Sequence, residues 1–261
     1  MYQHHQKAIE AITGKLRARE DVLGVIIGGS IAHGYASETS DLDCMLVLSE
    51  EDYRKALQTG DIGFFETEST PYEGGYVDGK CITQDYLRKV AEHGTEPARY
   101  AFKDAFVAYS RIEGLEELVH AASRYPAEHK EENIQKFYAQ LETWKWYFYE
   151  GLKRNDRLLM DYSRTNYVMF AGRLILAHNE RLFPSYKWLL KELEKAEAKP
   201  DNFMQLMDEV IRLQTPESIE CLYGSITQFH DWYTSAEHWT VRFMLDSQLN
   251  WLEGIVPVLD L

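Results

Sequence analysis

A chain of 261 residues is long enough for two domains, and 45% apolar residues can bury a sizeable core, which excludes a disordered chain. The net charge of -14 is spread evenly: residues 1–110 carry 11 Lys and Arg against 18 Asp and Glu, and residues 111–261 carry 17 against 24. Neither half has the phosphate-neutralising balance of a nucleic-acid-binding domain, so a small or cationic partner suits the chain better than a polyanion.

Taken in order, residues Tyr2 to Glu20 place Ile9, Ile12 and Leu16 at helical spacing and charges on the other faces, which predicts an amphipathic helix. Leu23 to Ile27 is a short apolar run of strand length. It ends in the turn Gly28-Gly29-Ser30. Asp41 to Leu48 reads as a second strand and Glu50 to Leu57 as a helix. Asp61 to Gly75 mixes Gly, Pro, Thr and Ser and predicts a loop with a strand at Phe64–Phe65. Tyr76 to Thr83 reads as a third strand, Gln84 to His93 as a helix, and Ala105 to Tyr109 as the last strand.

Beyond Glu113 the period changes to 3.6 and strand signals fade. Helices are expected over Gly114–Arg124, Ala127–Leu152, Asp156–His178, Ser185–Ala198, Asp201–Leu213 and Pro216–Leu252, the last divided near Ser235. Pro126, Pro184, Pro200 and Pro216 punctuate them. The fold class is therefore α+β: an N-terminal domain with a small mixed sheet, residues 1–110, then an all-α helical bundle, residues 111–261. The bundle is rich in tryptophan and tyrosine, mostly core residues by this reading. Cys44, Cys81 and Cys221 form no C-x-x-C pair and read as reduced structural thiols. There is no apolar stretch of eighteen residues and no leader-like N-terminal segment. The expectation is a cytoplasmic protein without a membrane partner, a monomer or homodimer.

The chemistry concentrates between Leu23 and Leu48. Asp41 and Asp43 are two residues apart at the start of a strand, so both side chains leave one face and make a site for a hard divalent cation such as Mg²⁺. Gly29 and Ser30 end the preceding strand, where a glycine turn lets backbone N–H groups and a hydroxyl approach a polyphosphate.

A G-S turn, ten residues, then D-x-D opening an apolar strand resembles the nucleotidyltransferase superfamily, which includes DNA polymerase beta and the kanamycin and lincosamide nucleotidyltransferases. The resemblance is specific from Leu23 to Leu48. It implies that Gly29 and Ser30 hold the phosphates of a nucleoside triphosphate, ATP by default, and that Asp41 and Asp43 hold Mg²⁺. It also implies a third carboxylate on a neighbouring strand, serving as metal ligand or as base on the acceptor hydroxyl. Asp78 is the candidate, with Asp104 and Glu66 in reserve, although Asp78-Gly79 is also a hairpin signal that would make Asp78 a solvated turn residue. Lys80, two residues on, is placed to reach a phosphate. Ser40, in the S-D-x-D form, orients the turn or contacts phosphate, and His33 is assigned to the triphosphate. The helical half is implied to bind a small hydroxylated acceptor, an aminoglycoside-type or lincosamide-type antibiotic among the options.

Two rival functions follow from other features. Arg173 to His178 fits the R-x4-H spacing of HEPN-type ribonucleases, as does Arg124 to His129, although Pro126 interrupts the latter. The alternative is a nucleotide-binding module that binds metal without transfer.

Overall fold

A computed structural model describes residues 1–254; residues 255–261, the tail of the expected bundle, lie outside the described residues. The chain separates into two compact units, Met1–Tyr125 and Pro126–Leu261. The first is built on a five-stranded sheet in the order β3-β4-β2-β1-β5, with β1 Val22–Ile27, β2 Leu42–Leu48, β3 Gly63–Glu66, β4 Val77–Thr83 and β5 Phe106–Ser110. β2 and β4 pair in parallel and the other neighbours are antiparallel, so the sheet is mixed as expected. β1 and β2 are almost wholly buried, which is why they read as continuous apolar runs rather than alternating ones.

Each face of the sheet has its own core. Helix α1, Gln3–Arg17, packs Ala8, Ile9, Ile12 and Leu16 with Val25, Ile27, Leu42, Cys44, Leu46 and Val77. On the other face Met45, Val47 and Ile82 pack with Leu87 and Val90 of α4, Gln84–His93, and with Leu115 and Val119 of α6, Leu115–Ala122. Three further helices complete the unit: α2, Gly29–Ala32; α3, Glu50–Thr59, capped by Ser49 and closed by left-handed Gly60; and α5, Glu96–Tyr100, capped by Thr95. α6 packs on the sheet, and the compact unit runs to Tyr125.

Among the described residues the second unit is helical. α7, Lys130–Arg154, turns at left-handed Asn155 into α8, Arg157–His178, whose cap Asp156 accepts from the Leu159 N–H at 3.0 Å. α9, Leu189–Glu194, α10, Phe203–Leu213, α11, Pro216–Phe229, and α12, Trp239–Ser247, follow. Their shared core holds Phe148, Tyr167, Leu174, Ile175, Leu193, Phe203, Ile219 and Trp232. α9 is much shorter than the expected Ser185–Ala198. Ser185 takes a left-handed φ of 77° and Trp188 is non-helical, so the helix cannot start until Leu189. The long Pro216–Leu252 pattern divides as expected, through an extended His230 that ends α11.

Candidate active site

The site is assembled at one end of the sheet. Gly28 donates its N–H to the Asp43 carbonyl at 3.1 Å, which ties the end of β1 to the start of β2. The chain then turns into α2 through Gly29 at a φ of +61°, a conformation L side chains rarely adopt. A Cβ at Gly29 would also overlap the Asp43 carboxylate. The position is thus glycine for two independent reasons, and the turn lies directly against the first acid. α2 is a single turn, so its contribution is the leading N–H groups that have no intrahelical acceptor. Ser30 is buried, 6% exposed, and its hydroxyl makes no hydrogen bond. Such an orphan costs about 1–3 kcal/mol.

Leu42 and Cys44 point into the α1 core, so the residues that alternate with them, Asp41 and Asp43, leave on the opposite face. Asp78 is the register partner of Asp43 on parallel β4, and it is exposed. It is a strand residue and not a hairpin tip, so the Asp-Gly hairpin reading fails: the strand continues unbroken from Val77 to Thr83. The three aspartates share one field. The Tyr76 hydroxyl is hydrogen-bonded to Asp41, and that bond, with the charges of Asp41, Asp78 and Asp43, pushes the phenol above its usual range. Burial first, then Asp43 and Asp78, push the neighbouring Cys44 thiol up to about 12.

The remaining candidates divide. Lys80 is exposed two residues beyond Asp78, on the same strand face, opposite Met45 and Gly63. Ser40 serves the loop before Asp41: its hydroxyl accepts from the Ser37 N–H at 2.9 Å, and its carbonyl accepts from the Tyr72 hydroxyl at 3.0 Å. His33 is buried, with its ring against Tyr100 at 4.5 Å and its Nδ1 3.5 Å from Asp104. Asp104 is thereby engaged with His33. Glu66 is bound to Lys15 at 2.5 Å and to the Ser69 N–H at 3.0 Å, and it alternates with Phe65, which puts it on the face away from Asp78. Nothing in the sequence marks Tyr76 beyond its position two residues before Asp78. In the ribonuclease pattern Arg173–His178, Arg173 lies over the rings of Phe137 and Phe183, at 3.9 and 4.7 Å, while His178 meets His230 at a tilt and Trp232 edge-on.

The donor set fits a hard cation, since Asp41, Asp43 and Asp78 offer only carboxylate oxygens. Among the described residues no three His, Cys, Asp or Glu side chains stand close enough to hold an ion alone. Mg²⁺ is ordinarily held by one or two carboxylates with water and substrate phosphates, and the orphaned Ser30 hydroxyl beside the acids is where such phosphates would be received.

Comparison with known proteins bears on the same stretch. The nucleotidyltransferase domain family matches residues 9–119. No curated protein matches the chain. Among solved structures, a nucleotidyltransferase-like protein from Exiguobacterium sibiricum superposes with a TM-score of 0.48 at 10% identity, over 96% of this chain and 79% of that one. That likeness is too loose to carry any argument about the site. The family match spans α1 through the start of α6, the unit that holds the turn and the three aspartates. Residues 9–119 of this chain are thus matched by the nucleotidyltransferase domain family, and the match ends before the helical unit begins.

Proposed function

We propose that the protein is a Mg²⁺-dependent nucleotidyltransferase that moves a nucleoside monophosphate, AMP from ATP in the first instance, onto a hydroxyl of a small acceptor. The observation that carries this is the Gly29–Ser30 turn, with its buried orphan hydroxyl, lying against Asp43 and hence beside Asp41 and Asp78. Gly29 and Ser30 bind the β- and γ-phosphates through backbone N–H groups and the Ser30 hydroxyl. Asp41 and Asp43 are the metal ligands, and Tyr76 holds Asp41 in place by its hydrogen bond. Bound Mg²⁺ would supply charge neutralisation of the triphosphate and of the departing pyrophosphate. Asp78 completes the metal site or accepts the proton of the acceptor hydroxyl. The hydroxyl oxygen bonds to the α-phosphorus while the α–β bridge breaks. Pyrophosphate leaves and the proton passes to the base. Lys80 contacts phosphate from the same face. His33 and Ser40 act at one remove, fixing α2 and the loop before Asp41. Acceptor recognition is assigned to the helical unit, with aminoglycoside-type and lincosamide-type compounds as first candidates.

The test is purified protein with MgCl₂ and each nucleoside triphosphate, monitoring pyrophosphate against a panel of hydroxylated acceptors. Release should require an acceptor and vanish on chelation and in Asp43→Asn. Release that persists in Asp43→Asn sinks the assignment. Tight Mg²⁺–nucleotide binding with no release for any acceptor favours the non-catalytic module.

A further inference from the structure

His4 and His5 open α1 and take no part in the reaction above, yet both are engaged. Their ring centroids lie 4.3 Å apart, and both rings pack on Tyr72, at 4.5 and 5.5 Å. His5 is wholly buried beneath the other two. The polar atoms of His4 and Tyr72 meet one stretch of backbone, the residues that lead into Asp41. The His4 Nε2 lies 2.8 Å from the Glu38 carbonyl oxygen. A carbonyl only accepts, so that nitrogen carries the proton and donates. The Tyr72 hydroxyl donates to the Ser40 carbonyl at 3.0 Å. Between these two anchors, Gly74 comes so close to Thr39 that a Cβ on it would stand 3.0 Å from the Thr39 carbonyl oxygen. Glu38, Thr39 and Ser40 are thus held in turn from α1 and from the 69–75 segment.

The stretch has little else to hold it. Ser37, Glu38 and Thr39 are exposed and bury no apolar side chain, the condition in which a segment opens most readily. Its own bonds run from the Ser37 N–H to the Ser40 hydroxyl at 2.9 Å and from the Ser40 N–H to the Ser37 carbonyl at 3.3 Å. Asp41 follows at once, and the Leu42 N–H then joins the sheet through the Tyr76 carbonyl at 2.9 Å. Burial first, then the charge of Asp41, pushes the Tyr72 phenol above its usual range, so the anchor stands in the field of the acid. We infer that His4 and Tyr72 are positioning residues for the metal site: they fix the backbone before Asp41 so that its carboxylate is already placed to ligate Mg²⁺ beside Asp43. Ordering the stretch only when the ion binds would cost affinity, and the two anchors remove that cost. The inference rests on the transfer reading above. His4 lies before residues 9–119, so the family match does not include it.

The experiment uses the full chain and four variants. His4→Phe and Tyr72→Phe each keep a ring and remove one donor. His4→Gln keeps an N–H donor without the ring, and Ile12→Val thins the buried face of the same helix without touching the stretch. In metal-free protein, hydrogen exchange at the Ser37, Ser40 and Leu42 amides should quicken about tenfold in the two phenylalanine variants and stay near wild type in the others. Mn²⁺, followed by EPR with α,β-methylene-ATP present, should bind about tenfold more weakly to the same two variants, the scale of losing a group that orients a metal ligand. His4→Gln should restore the affinity, and Ile12→Val should lower the thermal midpoint with the affinity intact. Unchanged exchange in His4→Phe and Tyr72→Phe, or a lower midpoint with Mn²⁺ affinity unchanged, makes the contacts merely structural and overturns the inference. Equal loss of affinity in Ile12→Val overturns it too. The transfer reading fails separately: Mn²⁺–nucleotide binding that depends on His4 and Tyr72, in a protein that releases no pyrophosphate for any acceptor, would leave a positioned metal site without the chemistry.

Discussion

In the helical unit a half-buried tyrosine finds its acid, whereas in the sheet unit a buried serine finds nothing. Tyr223 donates to Glu142 at 2.5 Å and Tyr149 to Glu220 at 2.7 Å, while Lys145 reaches Glu220 at 2.9 Å and lies over the Tyr223 ring at 3.5 Å. Burial, then the bond to Glu142, pushes the Tyr223 phenol up to about 12. These groups satisfy one another, and what they contribute is held within the bundle. Ser30 has no hydrogen-bond partner, and three aspartates share the face beside it. Such a grouping costs stability by itself, and a bound cation and phosphate would relieve it. The difference between these two clusters is that the tyrosine–acid cluster is complete in itself, whereas Ser30 and the aspartates leave polar groups open to a ligand.

The sharpest way to break that comparison is Asp43→Asn. Turnover should fall by about 10⁴-fold, the scale of removing one member of a catalytic unit, with the urea midpoint no lower than in the wild type. A collapse of stability would make Asp43 structural. Asp78→Asn should cost about 10²–10⁴-fold with nucleotide affinity nearly unchanged if Asp78 is the base; a parallel loss of Mg²⁺ dependence identifies it as a ligand. Gly29→Ala forces a Cβ into the Asp43 carboxylate, and turnover should drop about 10²–10³-fold, the scale of one misaligned donor.

On the other side of the comparison, Leu174→Ala empties a fully buried site in the helical core. It should cost about 2–5 kcal/mol in urea unfolding and leave Mg²⁺–nucleotide affinity of the folded protein intact. Lost affinity would show that the units are not separable in this sense. The smallest effect concerns His178. Burial first, then the neighbouring His230 and Lys130, holds its imidazole below the usual value of about 6.5. Because the folded pKa is depressed, the unfolded chain binds the proton more tightly. The contribution is whole above pH 6.5 and is lost as pH falls from there through the folded value. Thermal midpoints between pH 7.5 and 5.5 should therefore decline, and His178→Gln should flatten part of the decline.

Much of the candidate site, as a grouping of residues, is legible in the sequence alone. Asp41, Asp43, Gly29 and Ser30 stand within one short stretch, where period-2 alternation and turn chemistry are local properties. Asp78 is only half legible. Its partner Asp43 lies far off in sequence, and the parallel register that joins them is set by sheet order, which no local pattern encodes. The exposure of Phe65 is invisible because an exposed aromatic on an edge strand has the same composition as one packed beneath a loop. The helices of the second unit are legible in number from their prolines and their period. The start of α9 is not, since nothing about Ser185 announces a left-handed residue.

The state of the thiols has a practical consequence. Cys44 and Cys81 are buried, and burial raises both thiols, so both are shielded from an alkylating reagent and less reactive toward it than an exposed thiol. Cys221 is exposed on α11. A stoichiometric maleimide dye should therefore attach to the unaltered protein at one position, in the helical unit, while the aspartates belong to the other. A donor fluorophore on a nucleotide and an acceptor at Cys221 would then form a ruler between the two halves of the chain, read during turnover without a single mutation.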